Sequence, residues 1–158
     1  MVEKQSTHNQ PMANPPKSSK AHPVPGTNLP AFCFDTVQEL SHYAAHIVAG
    51  LIRERAALGQ KTVIGLPAGS TPLTTFRELI RLHREESLDF SSVELFLLDE
   101  YYGLPSDSPQ SHRAWLQEHL TQYINIPAQQ IHWLAGEIPE DQIDTHCLRF
   151  DEAIELCG

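Results

Sequence analysis

Residues 93–99, VELFLLD, constrain the fold more than any other segment of the chain. A short and almost continuous apolar run is typical of a parallel strand whose two faces are both covered. Such a strand needs layers on either side of it, and strand-like and helix-like segments do alternate from residue 31 onward. The sequence therefore predicts an α/β fold with a mostly parallel sheet and flanking helices.

The other elements follow from hydrophobic spacing and turn residues. Thr36 and Glu39 fit a capping box at the start of the first helix, and Gly59 marks its end. The chain stops just after a helix, where another strand is due, so we expect a Rossmann-like sheet truncated before its C-terminal strands. The expected elements are strands at 31–34, 61–66, 93–99 and 131–134, and helices over 37–58, from 73, over 114–123 and after Pro139.

Residues 1–30 differ in composition from the rest of the chain. They contain six of its 12 prolines, separated mainly by polar residues. Such a segment buries too little apolar surface to offset its ordering entropy. We predict a disordered, Pro-rich extension over 1–30 and one folded unit over 31–158.

Charge and cysteine content exclude several classes of protein. Lys and Arg number 11 against 20 Asp and Glu, a formal charge of −9, which argues against nucleic-acid binding. No apolar run approaches the ~18 residues of a membrane span. Three cysteines without a CxxC pair argue against a disulfide scaffold and a metal site. A cytoplasmic protein without metal or membrane contact is expected, with homo-oligomers left open.

The segment PAGSTP, residues 67–72, follows the strand predicted at 61–66. Gly69 permits close backbone approach, Ser70 and Thr71 supply hydroxyls and candidate N-caps, and Pro72 suits the first helical position. The free N–H groups of a helix start attract an anion such as phosphate. A well-capped helix start without a ligand explains the same residues equally well.

Asp99 and Glu100 directly follow the strand predicted at 93–99. Adjacent residues on a strand point in opposite directions, so the two carboxylates cannot form a close pair. Partial burial would raise the pKa of whichever faces the crevice, towards the range of a general base. Alternatively, both residues cap the loop or pair with an arginine. If the two strands are neighbours, an anion site and a base meet at one edge, as proton transfer on a sugar phosphate requires.

Two segments, GLPAGSTPLTTF (65–76) and FLLDEYYGLPSDSPQS (96–111), closely resemble the glucosamine-6-phosphate deaminase (isomerase) family. The resemblance implies that residues 31–158 are the N-terminal part of a domain that converts glucosamine 6-phosphate and water to fructose 6-phosphate and ammonia, without any cofactor. It implies that Gly69, Ser70 and Thr71 hold the substrate phosphate. It implies that Asp99 is the base that moves a proton between carbons 1 and 2. It gives Glu100 a supporting role next to Asp99, without contact with the substrate.

This sequence departs from the family pattern at three points. Ala68 stands where many members have Thr, and His112 stands where Tyr is usual. Residues 1–158 also lack the downstream Asp-Gly-His motif that helps to open the sugar ring. Two alternatives therefore stay open: a catalytically incomplete fragment that at most binds sugar phosphates, and a hydrolase like the related 6-phosphogluconolactonases.

Overall fold

A computed structural model describes residues 21–26 and 31–157 of the chain. Single 3₁₀ turns lie at Thr121–Tyr123, Ala128–Gln130 and Glu140–Gln142. The strands are β1 (His22–Pro23), β2 (Phe32–Cys33), β3 (Thr62–Leu66), β4 (Val93–Leu97) and β5 (Ile131–His132). The helices are α1 (Val37–Ala57), α2 (Leu73–Glu86), α3 (His112–His119) and α4 (Ile143–Cys157).

A three-stranded parallel sheet in the order β3-β4-β5 organises the fold. β3 and β4 pair over their whole length, from Thr62 opposite Val93 to Leu66 opposite Leu97. All five residues of β4 are buried, as a central strand with two covered faces requires. The predicted α/β fold with a parallel sheet is therefore confirmed.

The two faces of β4 contact different layers. Val93, Leu95 and Leu97 belong to the main hydrophobic core. The helices around that core contribute Ala45, Ala49, Ile52, Phe76, Leu79, Leu82 and Leu116. Side chains alternate along a strand, so Glu94 and Phe96 face the opposite side. There the Phe96 ring stacks on His132 at 4.1 Å and meets the edge of Phe150 from α4 at 5.4 Å.

Helix α4 is held much less firmly than the other helices. None of its residues is buried, and Leu148 and Leu156 are 62% and 88% exposed. It begins after the 3₁₀ turn that follows Pro139, close to its predicted start. Phe150 against Phe96 is its principal aromatic contact with the sheet.

The ends of the other helices are largely as predicted. Thr36 caps α1, its hydroxyl accepting a hydrogen bond from the Glu39 N–H at 3.2 Å, and α1 ends two residues before Gly59. The helix expected over 114–123 is instead α3 followed by a separate 3₁₀ turn. It ends at His119 because Leu120 leaves helical geometry at φ −144°.

A short antiparallel ladder joins β1 to β2, with His22 opposite Cys33. The strand predicted at 31–34 therefore exists, but it pairs with β1 and stays outside the parallel sheet. This pairing was not expected, because residues 21–26 belong to the segment predicted as a disordered extension. Residues 1–20 and 27–30 of that segment lie outside the described residues. None of the described helices combines the length and apolarity that crossing a bilayer requires.

Glu94 is a buried charge on β4, and two basic groups compensate it. Its carboxylate accepts hydrogen bonds from Lys61 Nζ at 2.5 Å and pairs with His132 Nε2 at 2.8 Å. Burial disfavours the charged form of this carboxyl, but the bonds from Lys61 and His132 outweigh burial and lower its pKa. The same contact raises the pKa of Lys61.

Gly136 brings two loops into backbone contact. A Cβ at this position would lie 2.5 Å from the Tyr101 carbonyl oxygen and would also collide with the Leu104 carbonyl oxygen. In the structure the Gly136 carbonyl accepts a hydrogen bond from the Gly103 N–H at 2.9 Å. Residues 101–104, which follow Asp99 and Glu100, are therefore seated directly on residue 136.

We expect Glu94→Gln to lower the free energy of unfolding by about 1–3 kcal/mol at neutral pH, because Lys61 and His132 lose a charged acceptor. Since folding lowers the pKa of Glu94, its contribution is complete above the ordinary carboxyl range and disappears as the pH falls through the folded pKa. The gap between parent and variant should therefore shrink towards acid pH in urea titrations. Glu152→Gln, an exposed change, is the control. A gap that does not vary with pH would contradict this assignment.

We expect Gly136→Ala to lower the free energy of unfolding by about 1–3 kcal/mol, because two carbonyl oxygens must move to admit the methyl group. Gly50→Ala is the matched control. It lies inside α1, where an added methyl group would have no atom within 4 Å, and helix propensity favours Ala there by up to about 1 kcal/mol. Urea denaturation should move the two variants in opposite directions. Equal midpoints would show that the contact carries no energy.

Candidate active site at the carboxyl ends of two strands

The pairing of β3 with β4 brings the two predicted site segments to one edge of the sheet. Leu66 lies opposite Leu97 at the carboxyl end of each strand. The Leu98 N–H extends the ladder by one bond to the Leu66 carbonyl, at 3.1 Å. The loops over 67–72 and 98–111 therefore leave the sheet side by side, as expected if the two strands are neighbours. Ligands of open α/β sheets bind at such an edge.

Loop 67–72 adopts a conformation that depends on glycine. Gly69 has φ +102°, a value that other residues rarely adopt, and no atom lies within 4 Å of where its Cβ would be. A side chain here would strain the backbone without filling any space in the protein. The loop therefore offers an open backbone surface next to the start of α2.

The prediction that Ser70 or Thr71 caps α2 was wrong. The N-cap position is Pro72, which has helical dihedral angles and no side-chain cap, and the Phe76 N–H bonds to its carbonyl at 2.9 Å. Both hydroxyl-bearing residues are exposed, and within the described part of the chain neither hydroxyl makes a hydrogen bond. An anion at this helix start would find both hydroxyls available.

Asp99 lies at the mouth of this edge with its side chain 62% exposed. The partial burial expected for it at the strand end is absent, because β4 ends at Leu97 and residues 98 and 99 already lie in the loop. One carboxylate oxygen, Oδ2, is 3.1 Å from Nδ1 of His112, and the same nitrogen is 3.1 Å from the Asp99 carbonyl oxygen. The Asp99 carboxylate is therefore held on one side and open on the other.

Glu100 is fully engaged in fixing a helix start. Its carboxylate accepts hydrogen bonds from the N–H groups of Tyr101 at 2.9 Å, His112 at 2.8 Å and Arg113 at 2.9 Å. Ser111 completes the α3 cap by accepting from the Ala114 N–H at 3.0 Å. A carboxylate at this position also interacts favourably with the helix dipole. The capping role that the sequence left open for both carboxylates thus applies to Glu100, while Asp99 faces elsewhere.

Two residues at the start of α3 were not recognised as site residues from the sequence. His112 was noted only as a departure from the family pattern, yet it contacts Asp99 and packs its ring 4.5 Å from that of Tyr101. Arg113 places its guanidinium 5.3 Å from the centre of the Trp133 ring. Their position directly after the Ser111 cap was the available signal, because a helix start returns the chain to the sheet edge.

A cavity of about 370 Å³ lies beside loop 98–111. Ser106, Arg113 and residues 133–137 line it, and none of the residues predicted from the sequence does. Arg113 is the cation among these lining residues, and guanidinium groups bind phosphate and carboxylate well. Asp99 and His112 alone do not make the ligand set of a metal, since Glu100 is already committed to backbone N–H groups.

Comparison with known proteins agrees with the sequence resemblance. Residues 35–155 match the family model of glucosamine-6-phosphate isomerases and 6-phosphogluconolactonases. A curated relative from Giardia intestinalis, glucosamine-6-phosphate deaminase 2, is 42% identical over 118 residues. That alignment covers 75% of this chain and 44% of the relative, so the chain spans less than half of the relative's length.

Solved structures with the same fold include both branches of the family. A monomeric glucosamine-6-phosphate deaminase superposes with a TM-score of 0.71 at 34% identity, over 77% of this chain and 48% of that one. The 6-phosphogluconolactonase of Thermotoga maritima superposes less well, with a TM-score of 0.54 at 25% identity, over 72% and 50% of the two chains. On its sequence, its parallel sheet and its paired strand-end loops, this chain belongs to the glucosamine-6-phosphate isomerase/6-phosphogluconolactonase family.

Proposed function

We propose that this chain is the N-terminal part of a glucosamine-6-phosphate deaminase, which converts glucosamine 6-phosphate and water to fructose 6-phosphate and ammonia. The observation that carries this proposal is the meeting of Asp99 and loop 67–72 at one sheet edge. The names of the similar deaminases from Giardia intestinalis and from the solved structure support the same substrate. The proposed role belongs to amino-sugar catabolism.

In this proposal, the sugar phosphate binds at the start of α2. The open backbone at Gly69 and the two unbonded hydroxyls of Ser70 and Thr71 directly precede the first turn of α2. Helix N-termini favour anions because their N–H groups and dipole both present positive charge. A phosphate held there leaves the sugar carbons free to extend towards Asp99.

Asp99 then acts as the base of the isomerisation. Its free carboxylate oxygen removes the proton from carbon 2 of the opened sugar and returns it to carbon 1. The oxygen on carbon 1 gains a proton and the amine loses one, which leaves an alcohol at carbon 1 and an imine at carbon 2. Water adds to that carbon and ammonia leaves, so the product is the ketose phosphate. Negative charge that develops on the intermediate requires nearby donors.

Glu100 and His112 are positioning residues in this scheme. Glu100 fixes the start of α3 through the N–H groups of His112 and Arg113. His112 in turn holds one oxygen of Asp99 at 3.1 Å. A base that is oriented in advance loses less freedom when the substrate arrives.

The cellular location, the binding partners and the oligomeric state of the protein are also proposals. We propose a cytoplasmic enzyme that acts on a small sugar phosphate without a cofactor and does not bind nucleic acid; the formal charge of −9 supports the last of these points. A homo-oligomer is compatible with the sequence. The lactonase alternative is less favoured, because its solved representative is less similar than the deaminase in both TM-score and identity.

We expect Asp99→Asn to lower kcat for fructose 6-phosphate formation by roughly 10²–10⁴-fold with little change in KM, because it removes the base and keeps the shape. The measurement uses the longest native polypeptide that contains these 158 residues. Asp107→Asn, an exposed change in the same loop, is the control. Faster turnover of 6-phosphogluconolactone than of glucosamine 6-phosphate would favour the hydrolase, and sugar-phosphate binding without turnover would favour the incomplete fragment.

We expect Thr71→Ala to raise KM for glucosamine 6-phosphate by about three- to tenfold with kcat nearly unchanged, because it removes one hydroxyl donor to the phosphate. The inhibition constant of inorganic phosphate should rise by the same factor. Thr145→Ala, an exposed change on α4, serves as the control. An unchanged inhibition constant would place the phosphate elsewhere.

A further inference from the structure

Two histidines and a glutamate meet on the seam between α1 and α2. His42 and His46 lie one helical turn apart on α1, and Glu78 reaches them from α2. Nδ1 of His42 is 2.9 Å from Glu78 Oε1, and Nε2 of His46 is 3.6 Å from the same oxygen. The three ligand atoms all lie within 4.8 Å of one another.

We propose that His42, His46 and Glu78 form a binding site for a divalent transition-metal ion of the Zn²⁺ type. Two imidazoles and one carboxylate are ligands that zinc commonly uses, with a fourth position left for water. Metal–ligand bonds of about 2.0–2.2 Å in a tetrahedron place neighbouring ligand atoms about 3.3 Å apart. The two distances to the Glu78 oxygen, 2.9 and 3.6 Å, lie on either side of that value.

The state of His46 supports the proposal independently. Its Nε2 is buried and has no hydrogen-bond partner among the described residues, although it faces the Glu78 carboxylate. A buried polar atom without a partner is costly, and native proteins rarely keep one without a reason. A metal ion between the two groups would satisfy this nitrogen.

Charge at the seam favours a cation. Arg81 bonds to Glu78 with 2.8 and 2.9 Å contacts and also to Glu85 and Glu86, while Arg53 lies 3.7 Å from Glu86. The three carboxylates (Glu78, Glu85 and Glu86) therefore exceed the two guanidinium groups (Arg53 and Arg81) by one negative charge.

Arg81 is both a competitor of the metal and a support for it. One of its nitrogens occupies the Oε1 oxygen that faces the histidines, whereas another binds Oε2 on the far side. On metal binding, the first bond would give way and the second would remain to orient the carboxylate. Glu85 and Glu86 would keep the guanidinium paired.

A second cluster among the described residues, made of Glu94, His132 and Cys157, does not offer the same opportunity. Lys61 and His132 already occupy one oxygen each of Glu94. A metal there would have to displace Lys61 from a carboxylate that is only 5% exposed, whereas the Glu78 side chain is 16% exposed. The test therefore uses a Cys157→Ser background, which removes the thiol ligand from this competing cluster.

The experiment is a calorimetric titration of the full 158-residue chain, carrying Cys157→Ser as the parent for all variants, with Zn²⁺ alone. We expect one ion per chain, and His46→Ala should weaken binding by roughly tenfold or more. His22→Ala is the matched control, because it removes an exposed histidine from outside the cluster and should leave the Kd unchanged. Glu78→Gln should weaken binding as well, which provides a second variant if His46→Ala fails to fold.

Nitrogen NMR of the imidazole side chains supplies an independent readout. Zn²⁺ should shift Nδ1 of His42 and Nε2 of His46 in the parent, and both shifts should be smaller in Glu78→Gln at equal metal concentration. Absence of binding up to about 1 mM Zn²⁺, or equal Kd values for parent and His46→Ala, would overturn the proposal. Because no step here depends on the deaminase reaction, either result leaves that proposal untouched.

Discussion

Parallel pairing of β3 with β4 determines where the chemistry of this chain can occur. Because Leu66 lies opposite Leu97, two segments that are about thirty residues apart leave the sheet as neighbours. One presents an open helix start, and the other presents a carboxylate. Neither segment contains a full site by itself. The buried and almost wholly apolar β4 supports both, since any slip in its register would separate the loops and expose its core face.

The two adjacent carboxylates, Asp99 and Glu100, make different contacts in this arrangement. Glu100 turns back to α3, where three N–H groups surround it, and so it fixes the loop. Asp99 keeps one oxygen free and is steadied by His112 on the other. The exposed position of Asp99 leaves room for substrate or for protein segments that approach this edge. The same pair of residues thus combines a structural anchor with an exposed carboxylate, for which we propose the role of base.

Much of this arrangement could be predicted from residue patterns, because those patterns are local. The apolar run of β4, the Thr36 cap of α1 and the glycine of loop 67–72 each act within a few residues. What could not be predicted depends on contacts between distant residues. Glu100 caps a helix that begins twelve residues later, and residues 101–104 sit on Gly136.

Other errors have equally physical causes. Asp99 was expected to be partly buried, but β4 ends two residues earlier than the apolar run suggested. Ser70 and Thr71 were expected to cap α2, but Pro72 already has helical angles and takes the cap position. The antiparallel pairing of β1 with β2 was missed because two-residue strands leave no periodic pattern.

The weak attachment of α4 has a dynamic consequence. Its detachment would uncover the face of β4 that carries Phe96, while Val93, Leu95 and Leu97 would stay packed against α1, α2 and α3. Amide hydrogens of α4 should therefore exchange with solvent through local opening, before those of β4.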